Sequence, residues 1–454
     1  MRAGLRWTRL PFPGKQTDST SDRLGRAGRA AVIAALWSVG SGLATPARSQ
    51  MLDELINPDV PGIAGEPGVT VASRLRPDYD PLGIRTGNVT VRPELRESVG
   101  YDDNVTGSRK ARGSAVVETD ARVGADYADS QSTAGARLSV DDVRYLGRSA
   151  QSFTNWAAGI GGTYRFGRDT LSLGLDHFNL SETARDLDVP QLDQPLAYRV
   201  DMLRASYKAV FNRLYVQPGV TLASYSYDNG TVGGRRYIQN TRNRVVATPS
   251  VTLGYELQPR RNLVLVVRDA NAGYANHAVG QAKPDFNDLS VLAGIDYDAD
   301  GLWRFRLLGG YETRSFSSRQ YKTISAPIVE AAVIWTPTGL TTVTGSATRH
   351  IQDSADDTTS GFTETAFGLR VDHELLRNVL LQAHVHYDID DYARNQGSQS
   401  LARFGGGATW LLNRNLRLIA SAEHSIRTSG GAIRQSGLAG YDGTIVLVTL
   451  RLAL

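Results

Sequence analysis

The sequence predicts an all-β chain: a transmembrane antiparallel up-and-down β-barrel of about 18 strands, with short periplasmic turns and longer outer loops. Three observations predict it. From Asn88 onward, apolar residues recur at every second position over segments of about ten to fourteen residues, the period of a strand and not of a helix. The connections between these segments alternate, short then long. Beyond the N-terminus no uninterrupted run reaches the roughly 20 apolar residues that a membrane helix needs, although 41% of the chain is hydrophobic.

The first element is an export signal over residues 1–49. Arg2, Arg6, Arg9, Lys15, Arg23, Arg26 and Arg29 precede an apolar run from Ala30 to Leu43, and small residues at Ala47 and Ser49 follow Pro46. A basic stretch, a short apolar stretch and a small-residue exit describe a secretory signal cleaved after Ala47 or Ser49. The whole chain carries a formal net charge of +4. Residues 1–49 hold eight basic and two acidic side chains, so the remainder has 42 basic and 44 acidic ones. The basic balance therefore belongs to the signal and does not indicate a nucleic-acid partner. The absence of cysteine excludes disulfides, thiolate metal sites and cysteine nucleophiles.

The second element, residues 50–87, contains Pro58, Pro61, Pro67, Pro77 and Pro81 with little periodicity, and is expected to be a periplasmic leader or plug. The third, residues 88–454, is the barrel. Trp303, Phe305, Leu307, Gly309 and Tyr311 alternate with Arg304, Arg306, Leu308, Gly310 and Glu312; Leu381, Ala383, Val385, Tyr387 and Ile389 alternate with Gln382, His384, His386, Asp388 and Asp390. A soluble β-sandwich also alternates, but its strands are typically about five to six residues. A tilted strand crossing a bilayer needs about 9 to 11.

Short turns fall at 166–169, 211–214, 257–262, 298–302, 336–339, 376–379 and 412–415, at intervals of 36 to 46 residues. Longer polar connections at 181–196, 227–241, 278–284, 317–323, 352–360, 390–399 and 427–442 lie between them, in strict alternation. Strand starts are expected near Val89, Ser114, Thr133, Phe153, Thr170, Tyr198, Leu214, Asn243, Leu263, Phe286, Leu302, Ile324, Leu340, Phe362, Val379, Leu401, Leu416 and Thr444. Pro93, Pro218, Pro249 and Pro327 fall inside these segments. Since proline donates no ladder hydrogen bond, each is expected to mark a bulge or a misplaced boundary. The final segment puts Val446, Val448, Leu450, Leu452 and Leu454 on one face and ends on leucine, not an aromatic residue.

At the join of leader and first strand, Arg76-Pro77-Asp78-Tyr79-Asp80-Pro81-Leu82-Gly83-Ile84-Arg85-Thr86-Gly87 is followed by Val91-Arg92-Pro93 and Gly100-Tyr101-Asp102-Asp103-Asn104-Val105. This stretch resembles the putative β-barrel porin 2 family of Gram-negative outer-membrane proteins. The resemblance extends over roughly residues 74–454, with its sharp motifs in the first thirty. It implies a cell outer-membrane location and, because some members are associated with polysaccharide export, candidate partners among periplasmic polysaccharide-export components.

The polar faces supply the candidate pore-lining residues: Arg137, Asp141, Arg204, Lys208, Arg304, Arg306, Glu312, Glu364, Arg370, His384, His386, Asp388, Arg403, Arg417 and Glu423. Two readings stay open. The charges set up a field across an aqueous lumen, which barrels of 16 to 18 strands enclose, or they pair with one another and solvate or plug the interior. His384, His386 and Asp388 share a strand face and could offer metal ligands, although no further histidine is fixed nearby. Asp102, Asp103 and Asn104 suit a turn better than a divalent cation. No Gly-x-Ser-x-Gly, His-Glu-x-x-His or phosphate-binding glycine loop is present, and the adjacent His424 and Ser425 point to opposite faces of a strand. Neither catalysis nor a cofactor is expected. The expected function is passive passage of polar solutes or an exported polysaccharide, with outer-membrane lipid as surroundings. The alternatives are a structural or adhesive barrel displaying its loops and, third, a barrel enzyme acting on envelope lipid.

Overall fold

In the computed structural model, which describes residues 69–298, 301–355, 361–393, 396–431 and 438–454, period-two segments become the eighteen strands of one closed antiparallel sheet. In chain order these are β1 (Val89–Asp102), β2 (Ser114–Ala128), β3 (Ser132–Tyr145), β4 (Phe153–Phe166), β5 (Asp169–Glu182) and β6 (Leu196–Phe211). Next come β7 (Leu214–Tyr227), β8 (Arg244–Gln258), β9 (Arg261–Tyr274), β10 (Phe286–Tyr297), β11 (Trp303–Phe316) and β12 (Ile324–Thr338). The last are β13 (Thr341–Gln352), β14 (Phe362–Leu376), β15 (Val379–Tyr392), β16 (Gly397–Leu411), β17 (Leu416–Ser429) and β18 (Tyr441–Ala453). Each pairs with its sequence neighbours, and β18 closes on β1 through Glu94↔Ala453 to Asp102↔Ile445. Closure leaves no free edge. The expected export signal over residues 1–49, and residues 50–68 of the expected leader, lie outside the described residues.

One end of the barrel carries tight turns. Gly167 and Asn212, first residues of two-residue links, have φ of 65° and 55°, the left-handed conformation that glycine and asparagine tolerate best. The other end carries the longer loops, with one exception to the expected alternation. The β15–β16 loop is only residues 393–396, because β15 runs on through Asp391 and Tyr392 and β16 begins at Gly397 rather than Leu401. Strand pairing also starts before residue 88: Ile84–Thr86 folds back as a hairpin on Val89–Val91.

The four prolines need neither a bulge nor a shifted boundary. Each sits on the outward face inside a continuous strand and interrupts a ladder on one side only. Pro218 pairs with Val251 of β8, while towards β6 the ladder skips from Ser206↔Gly219 to Ala209↔Val216 at unchanged register. Pro249 pairs with Val220, and towards β9 the ladder skips from Ala247↔Asn271 to Ser250↔Arg268. Pro93 and Pro327 each pair with one neighbour and lie just beyond the ladder with the other.

Burial is inverted relative to a soluble sheet. The alternate apolar positions are the exposed ones, as Trp303, Leu307 and Tyr311 show on β11, while Glu312 and Arg314 on the opposite face are buried. Near the turn end the outward face carries an aromatic girdle: Tyr297 stacks on Phe305 at 4.8 Å and Trp303 on Trp335 at 5.2 Å. The hydroxyls of Tyr127, Tyr164 and Tyr207 donate to Asp129, Gln131 and Asp169 at or beside the turns. Ring in apolar surroundings and hydroxyl in water is the arrangement of interfacial aromatics. From Phe166 to Trp156, or Trp303 to Tyr311, the outward apolar band covers eight to ten residues, roughly 20–25 Å at the tilt of barrel strands.

Candidate lumen and its constrictions

The registers put all fifteen predicted pore residues on the face opposite these exposed apolar side chains, towards the interior. Arg137 and Asp141 stand on β3, Arg204 and Lys208 on β6, and Arg304, Arg306 and Glu312 on β11. Glu364 and Arg370 stand on β14, His384, His386 and Asp388 on β15, Arg403 on β16, and Arg417 and Glu423 on β17.

They do not form two facing walls of opposite charge. They pair locally, along a strand or between close strands. Arg403 bonds Asp388 at 2.9 Å, Arg370 bonds Asp372 at 2.8 Å, and Arg204 and Arg137 bond Asp176 and Asp126. Arg306 and Arg304 lie 3.6 and 3.9 Å from Asp296 and Asp298. Glu312 and Glu330 flank His350 at 3.4 and 3.3 Å. Lys208 sits 4.1 Å above the Tyr215 ring. Glu364 stands in register with His350 and Asp390, and Asp141 directly opposite Asp120. The pairs of opposite sign let charges occupy a partly desolvated interior, whereas Asp141 and Glu364 each face a like charge across the ladder.

His384 and His386 are adjacent on the face, yet their rings, 5.8 Å apart, lean to different neighbours. His384 Nε2 bonds Glu423 at 3.0 Å and its ring lies over Gly405; the His386 ring lies over Gly368. The pair does not converge on a shared ligand position. Asp102 is fully buried, accepts from the Asn104 amide at 2.9 Å and bonds Arg185, so the 102–104 triplet is a turn tied to the interior.

Sequence reasoning placed Arg451 on the inward face of the last segment but missed its partners at the closing seam, where Arg96 on β1 stands opposite Arg451 on β18 and both share Glu94, at 2.5 and 2.6 Å. The alternation there is masked by Glu97, a carboxylate on the outward face bonded by Thr119. It also missed a constriction. The loop of residues 183–195 between β5 and β6 turns inward, burying Leu187, Val189 and Leu192. Leu187 packs with Leu401 and Tyr441 on β16 and β18. Asp188, at φ 55°, accepts from Tyr392 Oη at 2.8 Å, Ser354 Oγ at 3.1 Å and the Ala355 amide, while its own amide donates to Gln399 at 2.7 Å. Arg427 donates to the carbonyls of Ala184 and Asp186 at 3.0 and 2.7 Å. Burial opposes the charge on Arg185, but Asp102 beside it outweighs that and raises its pKa. The signal available in sequence was three apolar residues within a polar connection.

The turn end is lined from within too. Residues 69–82 run along the inner wall from β11 to β17: Arg304 donates to the Val69 carbonyl at 3.1 Å, and the buried Val71 amide donates to Thr342 at 2.9 Å. Arg74 and Arg76 reach Glu374 at 3.4 and 2.8 Å, and Asp80 meets Arg417 at 3.1 Å.

A model of the family described as putative beta-barrel porin 2 matches residues 76–454. The chain belongs to that family. The closed 18-strand sheet agrees with the barrel that this description names. Solved outer-membrane proteins are similar at low identity. A BenF-like porin from Pseudomonas fluorescens Pf-5 is 10% identical, with 81% of this chain and 99% of that one covered and a TM-score of 0.45. OpdK from Pseudomonas aeruginosa is 13% identical, covering 81% and 99% with a TM-score of 0.42. OccAB3 from Acinetobacter baumannii is 11% identical, covering 81% and 100% with a TM-score of 0.43. No curated protein matches the chain.

Proposed function

We propose that this chain is a passive outer-membrane channel for polar solutes or an exported polysaccharide, with its tight turns in the periplasm and its loops outside. The observation that carries this reading is the polarity of the two faces: an apolar, aromatic-belted outer wall around an interior in which many charged and hydroxyl side chains stand beside a few buried apolar clusters such as Val264, Leu292 and Ile328. The fifteen interior residues named above would line the path, and their local pairing favours a solute recognised by many weak polar contacts over one selected by net charge. Residues 50–87 would act from the periplasmic side as a plug, with 69–82 as its seated part.

A structural or adhesive barrel is the second reading, favoured by one observation: the chain folds back into its own interior at both ends. Planar-bilayer recording separates the two. The mature protein is expected to pass current, and a variant lacking residues 69–82 to pass more. Absence of current in both, with heat-modifiable gel migration retained, would overturn the channel. Deleting the gene and assaying surface polysaccharide distinguishes export from uptake of small solutes.

A further inference from the structure

The tight turns of β4–β9 carry charge that the channel reading leaves unused. Arg168 on the β4–β5 turn, Arg213 on the β6–β7 turn and Arg260 on the β8–β9 turn are all exposed, and Arg261 opens β9. Neighbouring turns hold one another in place. Arg168 donates to the Asn212 carbonyl at 3.2 Å, the Glu256 amide to the Arg213 carbonyl at 2.7 Å, and the Asp298 amide to the Arg260 carbonyl at 2.9 Å. Arg261 lies 5.2 Å from the centre of the Tyr297 ring, within the girdle, and donates to Gln258 at 2.7 Å. Arg260 pairs with Asp298, whereas Arg168, Arg213 and Arg261 have no ion pair among the described residues. The carboxylates nearby are engaged or turned away. Asp169 accepts from the Tyr207 hydroxyl at 2.7 Å and the Val210 amide at 2.9 Å, and Glu256 alternates to the inward face of β8.

The level of these guanidiniums decides what meets them. Phe166 and Phe211, exposed on the outward face, stand two residues before Arg168 and Arg213, and the exposed Leu257 stands three before Arg260. Two residues of strand span about 7 Å, so the cations lie about one headgroup depth beyond the apolar band. Successive turns are two strands, or about 10 Å, apart. The contacts of residues 69–82 fall between β11 and β17, on another part of the mouth, and leave this arc uncovered. With the turns in the periplasm, the arc faces the phospholipid leaflet of an outer membrane. Cations without a carboxylate partner at headgroup level draw lipids of net negative charge, and a guanidinium offers paired N–H donors to phosphate oxygens. A zwitterionic headgroup gains less, because its ammonium meets the same arginines.

We propose that the turns of β4–β9 form a binding surface for anionic phospholipid, with phosphates on Arg168, Arg213 and Arg261 and acyl chains against Phe166, Phe211 and Leu257. The proposal rests on the membrane-spanning reading with the turns in the periplasm. The test is native mass spectrometry of the detergent-purified, delipidated protein after adding phosphatidylglycerol or phosphatidylethanolamine. Phosphatidylglycerol is expected to be retained about tenfold better. The triple variant Arg168→Gln, Arg213→Gln, Arg261→Gln is expected to lose that preference while keeping heat-modifiable migration. A second triple variant, Lys283→Gln, Arg319→Gln, Lys322→Gln, removes the same charge from exposed positions on the β9–β10 and β11–β12 loops and is expected to keep it. Equal retention of both lipids by the natural protein, a preference that survives in the turn variant, or one lost equally in both variants would overturn the site. Two other results would instead overturn the reading beneath it: a chain that never shows heat-modifiable migration, or turns rather than loops cut by protease added to intact cells.

Discussion

Asp188 is the residue on which the loop-end constriction turns, because one carboxylate gathers two hydroxyls and an amide from two other parts of the wall. Hydrogen bonds to a charged group contribute about 1.5–3 kcal/mol each. Asp188→Ala is therefore expected to free the 183–195 loop without unfolding the barrel, and to raise single-channel conductance at unchanged heat-modifiable migration. The neighbouring Asp353 ties the same end to Arg244 at 2.9 Å and Arg314 at 2.6 Å. Burial disfavours its charge, but the two guanidiniums outweigh that and lower its pKa. A carboxyl depressed in the folded state adds stability above its unfolded value, near 4, and loses it as pH falls through the folded one. Protection of the loops from protease is thus expected to hold from pH 7 to about pH 5 and to fail only below about pH 4. At this scale the interior charges were legible, since a two-residue period assigns them one face. Asp188 was not, because a loop carries no period and its partners at 354, 392 and 399 are distant in the chain.

The strands were the most legible elements, and their errors have physical causes. The first four residues of β16 escaped the sequence reading because Gly397-Ser398-Gln399-Ser400 has no apolar alternation, yet their backbone pairs with Tyr392, Asp391, Asp390 and Ile389 of β15. The prolines misled because a missing donor was equated with a bulge, whereas a barrel strand can leave one ladder position unbonded and keep its register. Close approach of β10 and β11 sets a stricter condition. A Cβ added at Gly310 would lie 1.9 Å from the Val291 carbonyl oxygen. Gly310→Ala is expected to destabilise the barrel by about 1–3 kcal/mol, the range of overpacking, seen as a lower temperature for the shift from folded to unfolded gel mobility.

For the molecule as a whole, the inverted polarity makes a spectroscopic claim. Trp156, Trp303, Trp335 and Trp410, the four tryptophans among the described residues, all face outward and are at least 37% exposed. In vesicles of lipids brominated along the acyl chain, most of the tryptophan emission is expected to be quenched; emission insensitive to bromination would contradict a membrane-facing girdle. Strand number and closure could be anticipated from the even count and the common side of both chain ends. The occupation of both mouths could not, because it depends on which distant wall a loop or leader meets. That dependence has a consequence for assembly. The 183–195 loop is anchored by β15, β16, β17 and β18, the last strands made, and by Asp102 at the seam they close. The central bar of this barrel therefore cannot lock until the ring is complete, so its seating is a built-in report that the final strand has found the first.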